Sequence, residues 1–136
     1  ETIRSQITSQ NLENKIELTG FLSHAQTLKR LSALDLLIVP SHEEPFGMVP
    51  LESIRAKVPV ICSEGCGISE FIPSLKTNRG WDDHSWVLEI QKLLNDVQYR
   101  EHYAEQCFEE SNQLSWNQVG KVMIRKYQSL LEKKDA

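Results

Sequence analysis

The sequence predicts an α/β fold: a parallel, Rossmann-like sheet with flanking helices, followed by helices at the C-terminal end. Three observations carry that prediction. Leu36-Leu37-Ile38-Val39 is an unbroken apolar run stopped by Pro40, as expected of a strand buried on both faces. A second such run, Pro59-Val60-Ile61-Cys62, follows after one helix-length segment. From about residue 82 onward the pattern changes to helical spacing alone.

Taken in order, Ile3, Ile7 and Leu12 lie at loose helical spacing over residues 1–14, ending in the Asn11 to Asn14 stretch. Ile16 to Leu18 alternates apolar and polar residues and predicts a short strand closed by Gly20. Ser23 and Gln26 form a capping box, hydroxyl and side-chain amide each satisfying a free backbone N–H, and open a helix over 24–33. After the strand at 36–39, Val49, Leu51, Ile54 and Val58 predict a helix over 47–57 with Pro50 in its first turn. The strand at 59–62 is followed by Gly65 and Gly67, which break the chain. Residues 71–81 show no clear strand. Trp86, Ile90, Leu93, Leu94 and Val97 then fit one helix, started by Asp82 or Asp83, and Tyr99, Tyr103 and Cys107 fit a second. Ser115 and Gln118 cap a third, faced by Trp116, Val119, Met123, Tyr127 and Leu130, with Lys133 and Lys134 at the end that favours cations.

Composition narrows the function. The 136 residues suit one domain, and a net charge of −4 weighs against a nucleic-acid partner. There is neither a long apolar span nor a basic-then-apolar leader, and three cysteines suggest reduced thiols; together these predict a cytoplasmic protein. Cys62-x3-Cys66 lacks a second ligand pair, so no metal site is expected.

The densest chemistry is Pro40-Ser-His-Glu-Glu44-Pro-Phe-Gly47-Met-Val-Pro-Leu-Glu52. Ligands of open α/β sheets bind at the carboxyl ends of the strands, where loops feed the next helix. Gly47 near a helix N-terminus lets a ligand approach free N–H groups, which favour phosphate or hydroxyls. Glu44 in the loop and Glu52 about one turn into the helix flank that end. Such a pair equally suits a solvated turn or the acid and base of a glycoside hydrolase. His42-Glu43-Glu44 lacks the His-Glu-x-x-His spacing of a metalloprotease helix.

Glu44 to Glu52, with Leu37-Ile38-Val39-Pro40-Ser41 before it, resembles the Glu-x7-Glu signature of family 4 retaining glycosyltransferases of the GT-B fold. Thr19-Gly20-Phe21-Leu22-Ser23, Pro59 to Cys62, Gly67-Ile68-Ser69-Glu70 and Leu114-Ser115-Trp116 extend the likeness over most of the chain. The resemblance implies residues 1–136 to be one partial domain, the donor-binding C-terminal domain, N-terminally truncated. Two earlier strands, an Arg and a Lys that neutralise the diphosphate, and an acceptor-binding domain would lie outside it.

It further implies a nucleotide-sugar donor and a glycan or lipid-linked acceptor, with transfer of a hexosyl group, retained configuration and no metal or other cofactor. Glu44 would face the donor sugar as the catalytic carboxylate. The backbone N–H groups of Phe46, Gly47 and Met48 would contact sugar and pyrophosphate. Val49 would lie against the donor, Glu52 would hold the ribose, and Gly67 and Glu70 would shape the adjoining wall. Polysaccharide or glycolipid biosynthesis is the implied role, in the cytoplasm or at a membrane through the absent domain. The piece alone is expected to be inactive, and its unpaired sheet edges invite self-association. A non-catalytic GT-B-like binding or assembly module is the second reading, and a sugar-nucleotide epimerase or glycoside hydrolase the third. Lys57 stands where that family commonly has a glycine.

Overall fold

The computed structural model describes residues 2–78, 83–115, 117, 120–121, 124–125 and 127–128. Helix α1 (Ile3–Ser9) starts on the Thr2 hydroxyl and ends at Asn11, which adopts φ +54°. Asn11 N–H donates to Thr8 O and Leu12 N–H to Ile7 O, the paired bonds of a Schellman motif. The helix is therefore shorter than its loose apolar spacing predicts. Residues 16–18 form no ladder: backbone alternation makes a strand only beside a partner, and here Ile16 and Leu18 remain exposed. The expected strand is absent.

Helix α2 (His24–Leu31) starts on the predicted capping box, with both reciprocal Ser23–Gln26 bonds formed. Strand β1 (Leu37–Val39), helix α3 (Met48–Arg55) and strand β2 (Val60–Ser63) follow in the expected order. Leu37, Ile38 and Val39 stand opposite Val60, Ile61 and Cys62 in parallel register. A third strand, β3 (Lys76–Asn78), pairs parallel with β2, so the sheet runs β1-β2-β3. This corrects the expectation of no clear strand there. Lys76-Thr77-Asn78 has no apolar run, and tertiary contacts hold it extended: Tyr103 Oη accepts Lys76 N–H at 3.0 Å and donates to Val60 O at 2.5 Å. One hydroxyl thus ties both strands to the helix above them.

Helix α4 (Asp83–Asn95) ends earlier than its apolar spacing suggests. Val97 belongs instead to α5 (Val97–Ser111), because Asp96 caps that helix, its carboxylate accepting Tyr99 N–H at 2.9 Å. Gly80, Asp82, Trp116, Gln118, Val119, Met123, Leu130, Lys133 and Lys134, and with them most of the expected third helix, lie outside the described residues.

The core centres on β2. Val60, Ile61 and Cys62 are buried, packed with Ile54 of α3, Ile68, Ile72, Leu93 of α4, and Tyr103 and Cys107 of α5. Removing that much apolar area from water, at roughly 25 cal/mol per Å², is what fixes the helices on the sheet. Helix α3 ends as α1 does: Lys57 takes φ +57°. Its N–H donates to Ile54 O, and Val58 N–H donates to Ser53 O. Lys57, at the position where a glycine would be more favourable, adopts the left-handed cap all the same. Lys57 Nζ reaches Glu105 at 2.7 Å and lies 4.6 Å from the centre of the Phe108 ring. These contacts tie the chain just before β2 to α5, and the loops leaving the carboxyl ends of β1 and β2 form the site.

Candidate functional site

The loops after β1 and β2 run on together beyond the sheet. Glu44 pairs with Cys66 as an isolated parallel bridge. Glu44 N–H donates to Gly65 O at 3.1 Å, and Gly67 N–H donates to Glu44 O at 2.9 Å. The Ser63 hydroxyl adds a bond to Ser41 O. Two glycines allow this approach. A Cβ on Gly65 would lie 2.3 Å from His42 O, and one on Gly67 would lie 2.2 Å from Pro45 O. Gly67 is thus first a packing residue, joining the two loops.

Gly47 turns the chain into α3 with φ +99°, a left-handed conformation that favours glycine. A Cβ there would also meet Cys66 Sγ at 2.8 Å. Its N–H donates to Glu44 Oε1 at 3.1 Å, so that donor is already engaged and one Glu44 oxygen is fixed in direction. At the start of α3, Pro50 has no N–H, and Leu51 N–H donates to Gly47 O. Met48 and Val49 keep N–H groups that the helix itself cannot satisfy. Both residues are exposed. The helix dipole adds partial positive charge at the same place, and an anionic or hydroxylated ligand fits it.

Glu52 lies one turn further along α3, its side chain only 20% exposed. His24 Nδ1, at the first residue of α2, is 3.7 Å from Glu52 Oε1. Phe46 packs against Phe71, ring centres 6.0 Å apart, and Glu70 closes a 3-10 turn (Gly67–Glu70) with its side chain exposed. The structure therefore links Glu44, Gly47, Gly67 and Cys66 directly and presents Met48, Val49 and Glu52 along the next helix. Glu70 stands on the neighbouring turn.

The same two loops also line a cleft of about 460 Å³, reached by Ser41, His42 and Glu43 from one loop, Ser63 and Glu64 from the other, and Trp86 of α4, with none of Glu44, Gly47, Met48, Val49 or Glu52 in its wall. Its size is ordinary for a small-molecule site. The thiols beneath are of another kind. Cys62, Cys66 and Cys107 are all buried and reduced. Burial, and next the neighbouring Cys66, push the Cys62 thiol far above its ordinary range. Such thiols are poor nucleophiles and serve as packing. Among the described residues no group of three or more His, Cys, Asp and Glu side chains is placed to hold a metal ion, and no helix is long and apolar enough to cross a membrane.

The sequence did not single out His24 or Trp86 for the site. His24 lies 28 positions before Glu52, and only the packing of α2 on α3 joins them. Gly65 carried a signal, the Gly-x-Gly spacing after a strand, but the carbonyl it must admit belongs to another loop.

Residues 1–109 match the family described as glycosyl transferases, group 1. An uncharacterized glycosyltransferase of Methanocaldococcus jannaschii is 29% identical over 129 residues, covering 89% of this chain and 32% of that protein. A D-inositol 3-phosphate glycosyltransferase of Corynebacterium urealyticum is 29% identical over 101 residues, 72% of this chain and 24% of its own length. The chain thus spans about a third or less of these curated relatives. Among solved structures, a sucrose-phosphate synthase from Thermosynechococcus elongatus superimposes with a TM-score of 0.78 at 24% identity, over 96% of this chain and 34% of that one. The C-terminal domain of a glycosyl transferase group 1 family protein from Francisella tularensis gives 0.71 at 20% identity, over 80% and 58%. At those identities the likeness speaks for the Rossmann-like GT-B arrangement alone.

Proposed function

The chain belongs to the group 1 glycosyl transferases, and from that premise we propose that it forms the donor-binding part of a retaining enzyme that moves a hexosyl group from a nucleotide-diphosphate sugar to an acceptor hydroxyl. The observation that carries this reading is the arrangement at the start of α3: a carboxylate fixed by Gly47 N–H, the first-turn backbone donors of the exposed residues Met48 and Val49, and Glu52 one turn away.

The reaction's barrier lies in parting an anionic diphosphate from an electron-poor sugar carbon. In this proposal the leaving diphosphate lies against the Met48 and Val49 N–H groups, where the helix dipole favours negative charge. A preorganised donor of this kind contributes about 3 kcal/mol in other transition states. Glu44, with one oxygen held by Gly47, offers the other to the sugar ring. Phe46, Gly67 and Glu70 form the wall around it, and Glu52 accepts from the nucleotide ribose. The donor is a substrate, and the chemistry is proposed to proceed without a metal or resident cofactor. Acceptor binding is assigned to a separate domain, so the 136-residue chain alone is proposed to be inactive in transfer. A role in polysaccharide or glycolipid assembly is part of the same proposal.

The test is transfer by a protein that carries this chain together with an acceptor domain. Glu44→Ala and Glu52→Ala should each lower kcat/KM by at least about a hundredfold, the scale of lost transition-state contacts. Transfer left intact by both substitutions would favour a non-catalytic binding or assembly module.

A further inference from the structure

The cleft lined by the two loops is a different space from the start of α3, and the backbone separates them. Glu44 and Cys66 pair as a parallel bridge beyond the sheet, so side chains alternate across the loops as they do across strands. Glu44 reaches Gly47 N–H, and Cys66 Sγ lies against Gly47, both toward α3. Their neighbours Glu43 and Gly65 line the cleft. Two consecutive glutamates thus serve two spaces.

The chemistry of the cleft is its own. Among the described residues that line it there is no Lys or Arg, while Glu43 and Glu64 bring carboxylates. Such a wall matches a phosphate poorly. It matches hydroxyls well, because one carboxylate accepts from two at once. Glu43 and His42 are exposed, and their side chains make no hydrogen bond or ion pair among the described residues. Both can meet a ligand without first breaking a bond. Trp86 adds aromatic surface from α4.

Asn78 adds an independent observation. Lys76 and Asn78 share one face of β3, and Lys76 Nζ reaches Glu89 of α4 at 2.8 Å, so this is the face toward α4. Trp86 stands one turn before Glu89 on that helix. Asn78 is the ladder partner of Ser63, another residue of the cleft, and Asn78 O accepts Glu64 N–H at 3.1 Å. Its Nδ2 is covered and has no hydrogen-bond partner. An unsatisfied buried donor costs about 1–3 kcal/mol and calls for a reason, which a polar ligand at this end of the sheet supplies.

We propose that the cleft is a subsite for an uncharged sugar ring, with Glu43 accepting from its hydroxyls, His42 and Ser41 bordering them, and Trp86 forming the aromatic wall. The inference stands apart from the donor reading. A nucleotide diphosphate at α3 is recognised by backbone donors and a helix dipole, and a neutral saccharide here by carboxylate and aromatic groups.

Methyl α-glucoside, N-acetylglucosamine and maltose are titrated into the 15N-labelled 136-residue chain, with inorganic pyrophosphate in a parallel sample. At least one sugar is expected to shift the Trp86 indole N–H, identified with Trp86→Phe, together with the amides of His42, Glu43 and Gly65, while Met48 and Val49 stay still. Glu43→Ala, a change at an exposed side chain, should weaken that binding about tenfold, the scale of one hydrogen bond to a charged group. Pyrophosphate should leave the cleft resonances unmoved.

Silence of all three sugars at about 50 mM, beyond the range of even a weak single-ring site, would overturn the proposal. Sugar shifts confined to Met48 and Val49, binding indifferent to Glu43→Ala, or pyrophosphate moving the cleft resonances as the sugars do would overturn it equally. None of these results bears on the donor reading, which the response of Met48 and Val49 to nucleotide tests separately.

Discussion

Gly47 N–H donates to Glu44 Oε1 at 3.1 Å, across the turn that starts α3. The bond places a carboxylate beside a helix N-terminus and commits one of its oxygens, so the loop's shape and its chemistry depend on the same two residues. Glu44→Ala removes the acceptor and should cost about 1 kcal/mol of stability, read as a lower denaturation midpoint. Glu44→Gln keeps a carbonyl acceptor and should retain that stability while losing the charge. A fall of equal size for both variants would show that the Gly47 bond does not hold the turn.

Gly67→Ala sets a methyl 2.2 Å from Pro45 O, a backbone atom that has no room to yield locally. The two loops must part, with loss of the Gly67 N–H to Glu44 O bond, and stability should fall by about 2–3 kcal/mol by thermal denaturation. Gly20→Ala, at φ +62° with nothing near the added carbon, carries only the backbone term of about 1–2 kcal/mol. A milder effect at Gly67 than at Gly20 would contradict the loop packing.

Tyr103→Phe leaves Val60 O and Lys76 N–H without the hydroxyl that serves both. An unsatisfied buried polar group costs about 1–3 kcal/mol, so a drop of that size in the urea midpoint is expected. Amide exchange should quicken first at Lys76, Thr77 and Asn78, since β3 depends on that contact.

Lys57→Val should lower stability by about 1–3 kcal/mol, because a β-branched residue at φ +57° is strained. Lys57→Gly should lie within about 1 kcal/mol of the parent. The backbone relief offsets the loss of an exposed pair with Glu105 and the contact with Phe108. Chemical denaturation of the two variants decides it.

The protein should lose stability in alkali. Burial pushes the Cys107 thiol up to about 11 from an ordinary value near 9, the Tyr103 hydroxyl opposing that rise and Glu110 adding to it. Burial likewise raises Cys62 and Tyr103. A group raised by folding stabilises fully below its unfolded value, and the benefit is lost as pH climbs toward the folded one. Cys107 alone gives about 3 kcal/mol lost between pH 9 and 11. Denaturation midpoints should be flat from pH 7 to 8.5 and then fall, and Cys107→Ala should weaken that fall.

Much of this was legible in the chain. Unbroken apolar runs announced both β1 and β2, but only β2 is buried as such a run implies: β1 is an edge strand of this sheet, and its central Ile38 is exposed. The Ser23–Gln26 box is local chemistry, and it formed as read. The loop from Glu44 to Glu52 was marked by glycine, proline and carboxylates after a strand, and the structure gathers most of them at one helix end. What was not legible depends on distance along the chain. Lys76-Thr77-Asn78 is polar and becomes a strand through Tyr103 and β2. Ile16 to Leu18 has the alternation of a strand and no neighbour to pair with. Apolar spacing runs unbroken from Ile90 to Val97, so it hid the change of helix that Asp96 imposes. His24 and Glu52 meet through packing that no local pattern encodes.

The central claim is that a nucleotide diphosphate binds at the start of α3. Amide resonances of the 15N-labelled chain, followed during titration with UDP, GDP and ADP at pH 8, test it most directly. The account predicts that at least one of them shifts Met48, Val49 and Glu52 together, and that Glu52→Ala weakens those shifts. No response at millimolar nucleotide, or shifts confined to other surfaces and indifferent to Glu52→Ala, would contradict it.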